Sequence, residues 1–473
     1  MEEKKIYKLG IQNIMYSITS QALSFLLSIV TGFILPITMG VADYGYWQVY
    51  LFYIGFIMLF CFGFNDGLYL RYGSYNYNQL PFDKLRIAMR IFIIAISITT
   101  GILLVFSFRE SDPNKVFAFC AISINLIILG INGTLLTVLQ FTNRIKLNSF
   151  LTIANKLIFV IIIVPLLLID WVDFRVIIIA DIITKLFVLA FNIYKSNELF
   201  RGHTATFSIG IKEYWDDISI GISLMFANIV GSLLIGVGRF IVERYMSLET
   251  YSLYSFATTI TTFALIFIAA ASMSLYPLLK RVMKQKLPVI YVELNQLLCI
   301  GLFFLLAGYY PLHYLIKNYY TSFNGILEYF YLLFIIVVSQ GKMQFMINTY
   351  YKVLREEKAM LIANLSSVVF AILAIIPAFY FTHSIFSIVI GTTVTLIWRC
   401  YASEFFLKKK MGITSYSNMI IELSMIILFV ITIISFKPVI GFFIFFLINC
   451  GNVFINRSLL RRFIIKVYKS VKV

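Results

Sequence analysis

The chain has 473 residues, of which 60% are hydrophobic, 17% aromatic and only 13% charged, whereas a soluble domain carries roughly 25% charged residues. Its 39 Lys and Arg outnumber 22 Asp and Glu, for a net charge of +17. This composition excludes an ordinary soluble enzyme, and the basic excess needs no nucleic acid, because cations beside an anionic inner leaflet are stabilised there.

A membrane-crossing helix needs about 20 mostly apolar residues, and the sequence divides into fourteen such runs with short polar breaks. The first six lie near 11–37, 47–70, 86–107, 116–141, 149–169 and 174–196. Six more lie near 217–245, 250–279, 289–316, 326–352, 358–381 and 384–407, and two are appended at 417–436 and 438–456. Their lengths favour helices over barrel strands, giving an all-α polytopic membrane protein. The opening MEEKKIYKLG precedes about 27 apolar residues without a small-residue cleavage site, so it reads as the start of an uncleaved first helix and not as a signal peptide.

Basic residues set the orientation. Placing the amino terminus inside puts 28 of the 39 Lys and Arg in cytoplasmic connections and tails and six in outer ones. That asymmetry predicts cytoplasmic ends.

Sliding the chain by 207 residues superposes Phe33-Ile34 on Phe240-Ile241, Tyr44 on Tyr251 and Leu68-Tyr69 on Leu275-Tyr276. The shift carries runs one and two onto runs seven and eight after an even number of crossings, which predicts two parallel six-helix lobes related by a pseudo-two-fold along the membrane normal. The expected division is an N-lobe 1–196, a cytoplasmic connection 197–216, a C-lobe 217–407, and two helices with a basic tail at 408–473. The connection is expected to lie on the surface as a short amphipathic helix.

Five cations fall inside predicted runs: Lys156, Lys185, Arg239, Lys342 and Arg399. A charge at mid-bilayer costs at least about 2.5–3.5 kcal/mol on insertion scales, so such groups face protein or water. Lys342 is placed too deep to snorkel and is expected to line a cavity. Lys185 follows Asp181 by one turn, in the favourable acid-before-base order, and reads equally as a helix-joining pair or as a functional one. Arg239 either faces the cavity or pairs with Glu243. Lys156 and Arg399 lie within snorkelling reach of the inner face, and Glu422 is expected at the interface. With Asp181 as the one central acid, the deep sites are predominantly basic, and a cavity of that sign holds an anion.

The second run ends in FGFNDGLYLRYG, residues 62–73, with Asp66 near its cytoplasmic end. Two readings stand: a polar helix end meeting water near Arg71, or a gating or ion-linked carboxylate, with Gly67 permitting a bend.

Enzyme chemistry has no foothold. The three His are scattered and the five Cys lack metal or redox spacing, so neither a metal site, a catalytic residue set nor a cofactor is implied. Gly236-Val237-Gly238 has no preceding strand and reads as close helix packing or as local unwinding beside Arg239.

The stretch 34–73, with its Pro-ended first helix, the Gly-x-x-x-Tyr-Gly of Gly40 through Gly45, and Asn-Asp-Gly followed by Tyr and Arg, resembles bacterial lipid-linked oligosaccharide flippases. These are the O-antigen (Wzx-type) flippases of the polysaccharide biosynthesis family, within the multidrug/oligosaccharidyl-lipid/polysaccharide (MOP) exporter superfamily. The resemblance implies alternating access that moves an undecaprenyl-pyrophosphate-linked oligosaccharide across the bacterial inner membrane through a cavity between lobes, coupled to a proton or sodium gradient. Arg239, Lys342, Arg399 and Lys156 are the expected contacts to pyrophosphate and acidic sugars, Arg offering a planar fork to phosphate oxygens. Asp66, Asp181 and Lys185 are the candidates for ion coupling or gating, and Asn125, Asn132, Gln140, Asn228 and Gln344 for reading the sugar. A multidrug antiporter of the same superfamily is the alternative, disfavoured by the basic deep sites. A membrane polysaccharide polymerase or ligase, which would carry a large outer loop, and a peptidoglycan-precursor flippase, whose first helix carries charges, fit less well.

Overall fold

The computed structural model describes residues 19–73, 75–169, 171–280 and 283–458, together with Tyr16, Leu460 and Arg461. The basic cluster at the amino terminus, Arg281 and the tail from residue 462 lie outside the described residues, as does the side chain of Asn228. Among the described residues there is no β-strand, and eleven helical stretches are long and apolar enough to cross a membrane. The chain divides into two compact units, Met1–Ser232 and Leu233–Val473.

Among the described residues the first unit opens on the apolar stretch Thr19–Cys61, which holds the first predicted run from residue 19 onward and the larger part of the second. A π-helical turn, Val30–Ile34, leads into α1 (Leu35–Ile54), and the chain breaks within α1 at Gly40, whose φ is 73°. Only glycine adopts that backbone cheaply. The second predicted run is not one helix. It passes through a 3₁₀ segment, Ile57–Cys61, and two left-handed residues, Phe62 and Gly63, before resuming as α2 (Phe64–Tyr72). Then follow α3 (Phe82–Ser107), α4 (Pro113–Phe141), α5 (Ile145–Leu168) and α6 (Phe174–Lys195). Side chains of Asp112 and Asp173 cap α4 and α6 by accepting from backbone N–H groups of Asn114 and Arg175, satisfying orphan donors at the helix starts.

Helix α7 (Phe207–Tyr245) runs without interruption for 39 residues and carries the chain from the first unit into the second. At 1.5 Å per residue that is roughly 58 Å, about twice the hydrocarbon thickness of a bilayer. The polar stretch Lys212 to Asp217 occupies its early turns. The expected connection 197–216 is therefore partly helix: only residues 196–206 lack it apart from the 3₁₀ turn Asn197–Leu199. Those residues are clamped to the first unit by Arg86, whose Nε donates to the Glu198 carbonyl and Nη1 to that of His203, each at 2.7 Å. Burial and the neighbouring Glu198 carboxylate hold the Tyr77 phenol well above its usual range, so it stays neutral beneath the Arg144 guanidinium, 3.4 Å from its ring centre.

The second unit contains α8 (Leu248–Lys280), α9 (Leu287–Ala307), α10 (Tyr309–Tyr319), α11 (Phe330–Lys342), α12 (Asn348–Leu354), α13 (Glu357–Thr382), α14 (Ile385–Met411), α15 (Ser417–Ser435) and α16 (Pro438–Ile455). A π-helical turn, Met343–Ile347, joins α11 to α12 directly after Lys342. Gly238 sits inside continuous α7, where an added Cβ would meet Thr392 Oγ1 and Tyr254 Oη at 2.9 Å. Close packing, not unwinding, is what the glycine permits there.

The left-handed break before α2 has a packing cause. An ideal Cβ on Gly67 would lie 1.9 Å from the Asp217 carbonyl oxygen, and one on Gly221 would lie 2.0 Å from that of Gly63. Three glycines thus let α2 and α7 approach backbone to backbone. Because neither partner is a movable side chain, Gly67→Ala and Gly221→Ala are each expected to destabilise the protein by about 3 kcal/mol or more. Gly101→Ala, which meets open space, is the control. Thermal unfolding in detergent checks this, and equal melting of Gly67→Ala and Gly101→Ala would remove the close approach from the account.

Candidate functional site

Three buried polar clusters organise the two units, and together they hold Asp181, Lys185 and Lys342 of the candidate residues singled out in the sequence. In the first unit, α1, α4 and α6 meet around Asp181. Its Oδ2 accepts from Tyr50 Oη at 2.5 Å and pairs with Lys185 Nζ at 2.5 Å. Asn125 Nδ2 donates to Tyr50 Oη at 3.0 Å and to the Ala121 carbonyl at 2.9 Å. Tyr50, Asn125 and Lys185 are buried. Asp181 and Lys185 therefore neutralise each other one helical turn apart, but they also recruit a tyrosine and an asparagine from two other helices, which a simple helix-joining pair does not need. Lys156, on α5, is exposed and lies within electrostatic reach of both charges. Asn132 accepts from Asn192 at 2.9 Å in the same unit.

The second cluster explains the FGFNDGLYLRYG stretch. Arg71 Nη1 pairs with Asp217 at 2.6 Å and Nη2 with Glu213 at 2.9 Å, while Nη1 also donates to the Glu213 carbonyl at 3.2 Å. Tyr72 Oη donates to Glu213 Oε1. Asn65 is buried and accepts from Thr134 Oγ1 at 2.5 Å. Arg71 thus answers α7 and not Asp66. Asp66 itself sits half-buried in the first turn of α2, where a carboxylate interacts favourably with the helix dipole.

The third cluster lies in the second unit and differs from three expectations. Lys342, expected to line a cavity, is 0% exposed and pairs with Glu404 at 2.5 Å and with Glu422. Glu422, expected at the interface, is likewise 0% exposed. Lys408, assigned from sequence to a cytoplasmic connection, is buried and pairs with Glu404 Oε1 at 2.9 Å. Asn295 Nδ2 donates to that same oxygen at 3.1 Å, and Cys299 Sγ lies 3.6 Å from Glu422 Oε2. The cluster holds two cations and two anions from α11, α14 and α15. Removing one partner of such a buried set typically costs about 3–5 kcal/mol.

Arg399 and Arg239 are held differently. Arg399 is buried between α13 and α14, with Nη2 donating to Asn364 Oδ1 at 2.6 Å. Arg239 is half-buried over the Tyr251 ring, 5.9 Å from its centre, one turn before the buried Glu243.

The expected excess of five deep cations over one deep acid therefore does not hold: Glu213, Asp217, Glu243, Glu404 and Glu422 are all buried acids. Glu404 was legible, since it stands inside the predicted run 384–407 and precedes Lys408 by four residues, the pairing order that made Asp181–Lys185 conspicuous. Glu213 and Asp217 were not, because no local pattern announces a partner 146 residues away.

Comparison with known proteins adds a family and a fold. The family model described as polysaccharide biosynthesis protein matches residues 11–283, more than half of the chain. Among curated proteins no sequence match is found. The structure is similar to that of the lipid II flippase MurJ in an inward closed conformation, with a TM-score of 0.63 and 14% identity over 96% of this chain and 100% of that one. It is also similar to a MATE in complex with MaD5 (TM-score 0.54, 12% identity, 86% and 96% covered). A mutant of the Vibrio cholerae MATE transporter VcmN is a further likeness (0.51, 13%, 88% and 99%). Identities this low carry the fold alone, an all-α architecture shared with these proteins, here in a multi-pass membrane protein. With the family model covering the residues that hold the Asp181 and Arg71 clusters, the chain belongs to the polysaccharide biosynthesis protein family.

Proposed function

We propose that the protein flips an undecaprenyl-pyrophosphate-linked oligosaccharide unit across the bacterial inner membrane by alternating access, with both chain ends cytoplasmic and transport driven by a proton or sodium gradient. The observation that carries this reading is membership of the polysaccharide biosynthesis family, together with a fold shared with a lipid II flippase. A lipid tail can remain in the bilayer while only the polar head needs a sheltered, wet path. Pyrophosphate along that path is met by Arg239, Arg399 and Lys156, and binding stays weak enough for release on the far side. Lys342 belongs to this set in a conditional way: neutralised by two glutamates in this state, it presents positive charge only when that pairing opens. Asp181, Lys185 and Asp66 are the proposed coupling or gating groups in the first unit.

A multidrug antiporter is the second reading. The buried acids Glu404, Glu422 and Asp181 favour it more than the sequence did, since acidic pockets suit cationic drugs. A strain lacking the protein separates the two. Accumulation of unexported lipid-linked oligosaccharide, reversed by the wild-type gene, is the outcome expected of a flippase, whereas raised drug sensitivity without accumulation supports the antiporter.

In that strain, Arg239→Gln is expected to lower export by about tenfold, a loss of roughly 1.4 kcal/mol, with unchanged membrane levels on immunoblot. Full export by the variant would take Arg239 out of the path. Asp66→Asn is expected to flatten the dependence of export on external pH; a profile identical to that of the parent protein would leave Asp66 with its helix-start role alone.

A further inference from the structure

The Lys342 cluster is more than a way of storing charge. Its two glutamates are unequal. Glu404 is held by Lys342, by Lys408 at 2.9 Å and by Asn295 at 3.1 Å. Glu422 has the shared Lys342 ammonium, the weak donor Cys299 and the neighbouring Tyr401 hydroxyl, and among the described residues its Oε1 lacks a well-placed donor although the residue is 0% exposed. A buried carboxylate oxygen without a well-placed donor is costly and calls for an explanation. Both glutamates touch one Nζ, so their own repulsion is offset by a single cation. Loss of that cation, or its turning away, leaves one of them poised to take a proton, because two adjacent carboxylates do not both stay ionised in a low-dielectric site.

The surrounding groups decide which one. From α9, Tyr291 and Cys299 face the cluster; from α11, Lys342; from α14, Cys400, Tyr401, Glu404 and Lys408; and from α15, Glu422 alone. Glu404 keeps Lys408 and Asn295 whatever Lys342 does, whereas Glu422 keeps no cation. The turn that begins at Met343 gives Lys342 a way to move. A π-helical turn holds one residue more than an α-helical one, and migration of that extra residue along α11 and α12 rotates the intervening side chains.

We propose that Glu422 is a proton-binding site, loaded when Lys342 swings from Glu422 to remain on Glu404 alone. A hydronium ion from the aqueous phase gives its proton to a Glu422 oxygen and leaves as water, Lys342 stays an ammonium, and the cluster gains one positive charge when loaded. That charge is the switch: a neutral Glu422 no longer ties α15 to α11, and the cluster's net positive charge becomes available to an anion. The assignment of the proton as the coupling ion rests on the transport reading above; the existence of the site does not.

Two measurements keep those claims separate. In purified protein reconstituted in lipid vesicles, pH-difference infrared spectroscopy is expected to show a dry carboxylic acid C=O band that grows on acidification, and Glu422→Gln is expected to abolish it. The double variant Lys342→Met/Glu422→Gln leaves the Glu404–Lys408 pair intact and the cluster neutral, and is expected to lose the band while keeping the parent's melting temperature. A band that persists in both variants, that is missing from the parent, or that sodium ions suppress at constant pH would overturn the site. In the same vesicles, movement of a lipid-linked oligosaccharide driven by a pH gradient is expected to be lost in the double variant. Gradient-driven movement equal to the parent's would overturn the coupling role. A parent that shows the band yet moves no lipid-linked oligosaccharide would sink the flippase reading and leave the proton site standing.

Discussion

A charge buried in apolar surroundings depends on a partner, and in each unit of this protein the buried charges described draw helices together. Asp181 draws Tyr50 and Asn125 from two helices toward Lys185. Glu404 and Glu422 draw α14 and α15 onto Lys342. Such pairs add little net stability over a well-packed apolar core, because the desolvation of each charge offsets most of its attraction. What they supply is register: a helix displaced by one residue would strand an unpaired ion. Glu422 does this for α15, one of the two appended helices, which otherwise presents a largely apolar surface.

The same clusters are the natural place for function. The alternating access proposed above needs elements with two arrangements of similar energy, and a buried cation shared between two carboxylates is such an element, since it satisfies either partner. The Asp181 cluster has a comparable economy: Lys185 and Tyr50 both converge on the single oxygen Oδ2. The Arg71 cluster differs in kind. It is reinforced by three glycines at backbone contact and reads as a fixed joint between α2 and the start of α7.

Much of the fold was legible because length and hydropathy are local properties. The runs predicted at 86–107, 174–196, 384–407 and 438–456 match α3, α6, α14 and α16 to within a few residues. The failures share one cause. The run 47–70 breaks at Phe62 and Gly63, and Gly63 bends to meet Gly221, a residue far along the chain whose role hydropathy does not register. The charge count failed for a related reason: Glu422 lies five residues into its helix and looks interfacial until Lys342 reaches it from α11. For Asp181 and Lys185 the partners are one turn apart, and the pairing was visible. Candidate residues whose partners lie within a helix were thus readable, and those answered across helices were not.

The Arg71–Asp217 joint also has a consequence for how the chain is made. Its two halves are separated by 146 residues, which at synthesis rates of about 5–20 residues per second is roughly 7–30 s. For that interval the second hydrophobic segment leaves the ribosome with a guanidinium and two glycines that nothing yet covers. The amino-terminal bundle therefore cannot finish assembling while it is being threaded into the lipid; it waits, open on one flank, for a helix inserted five segments later to close it.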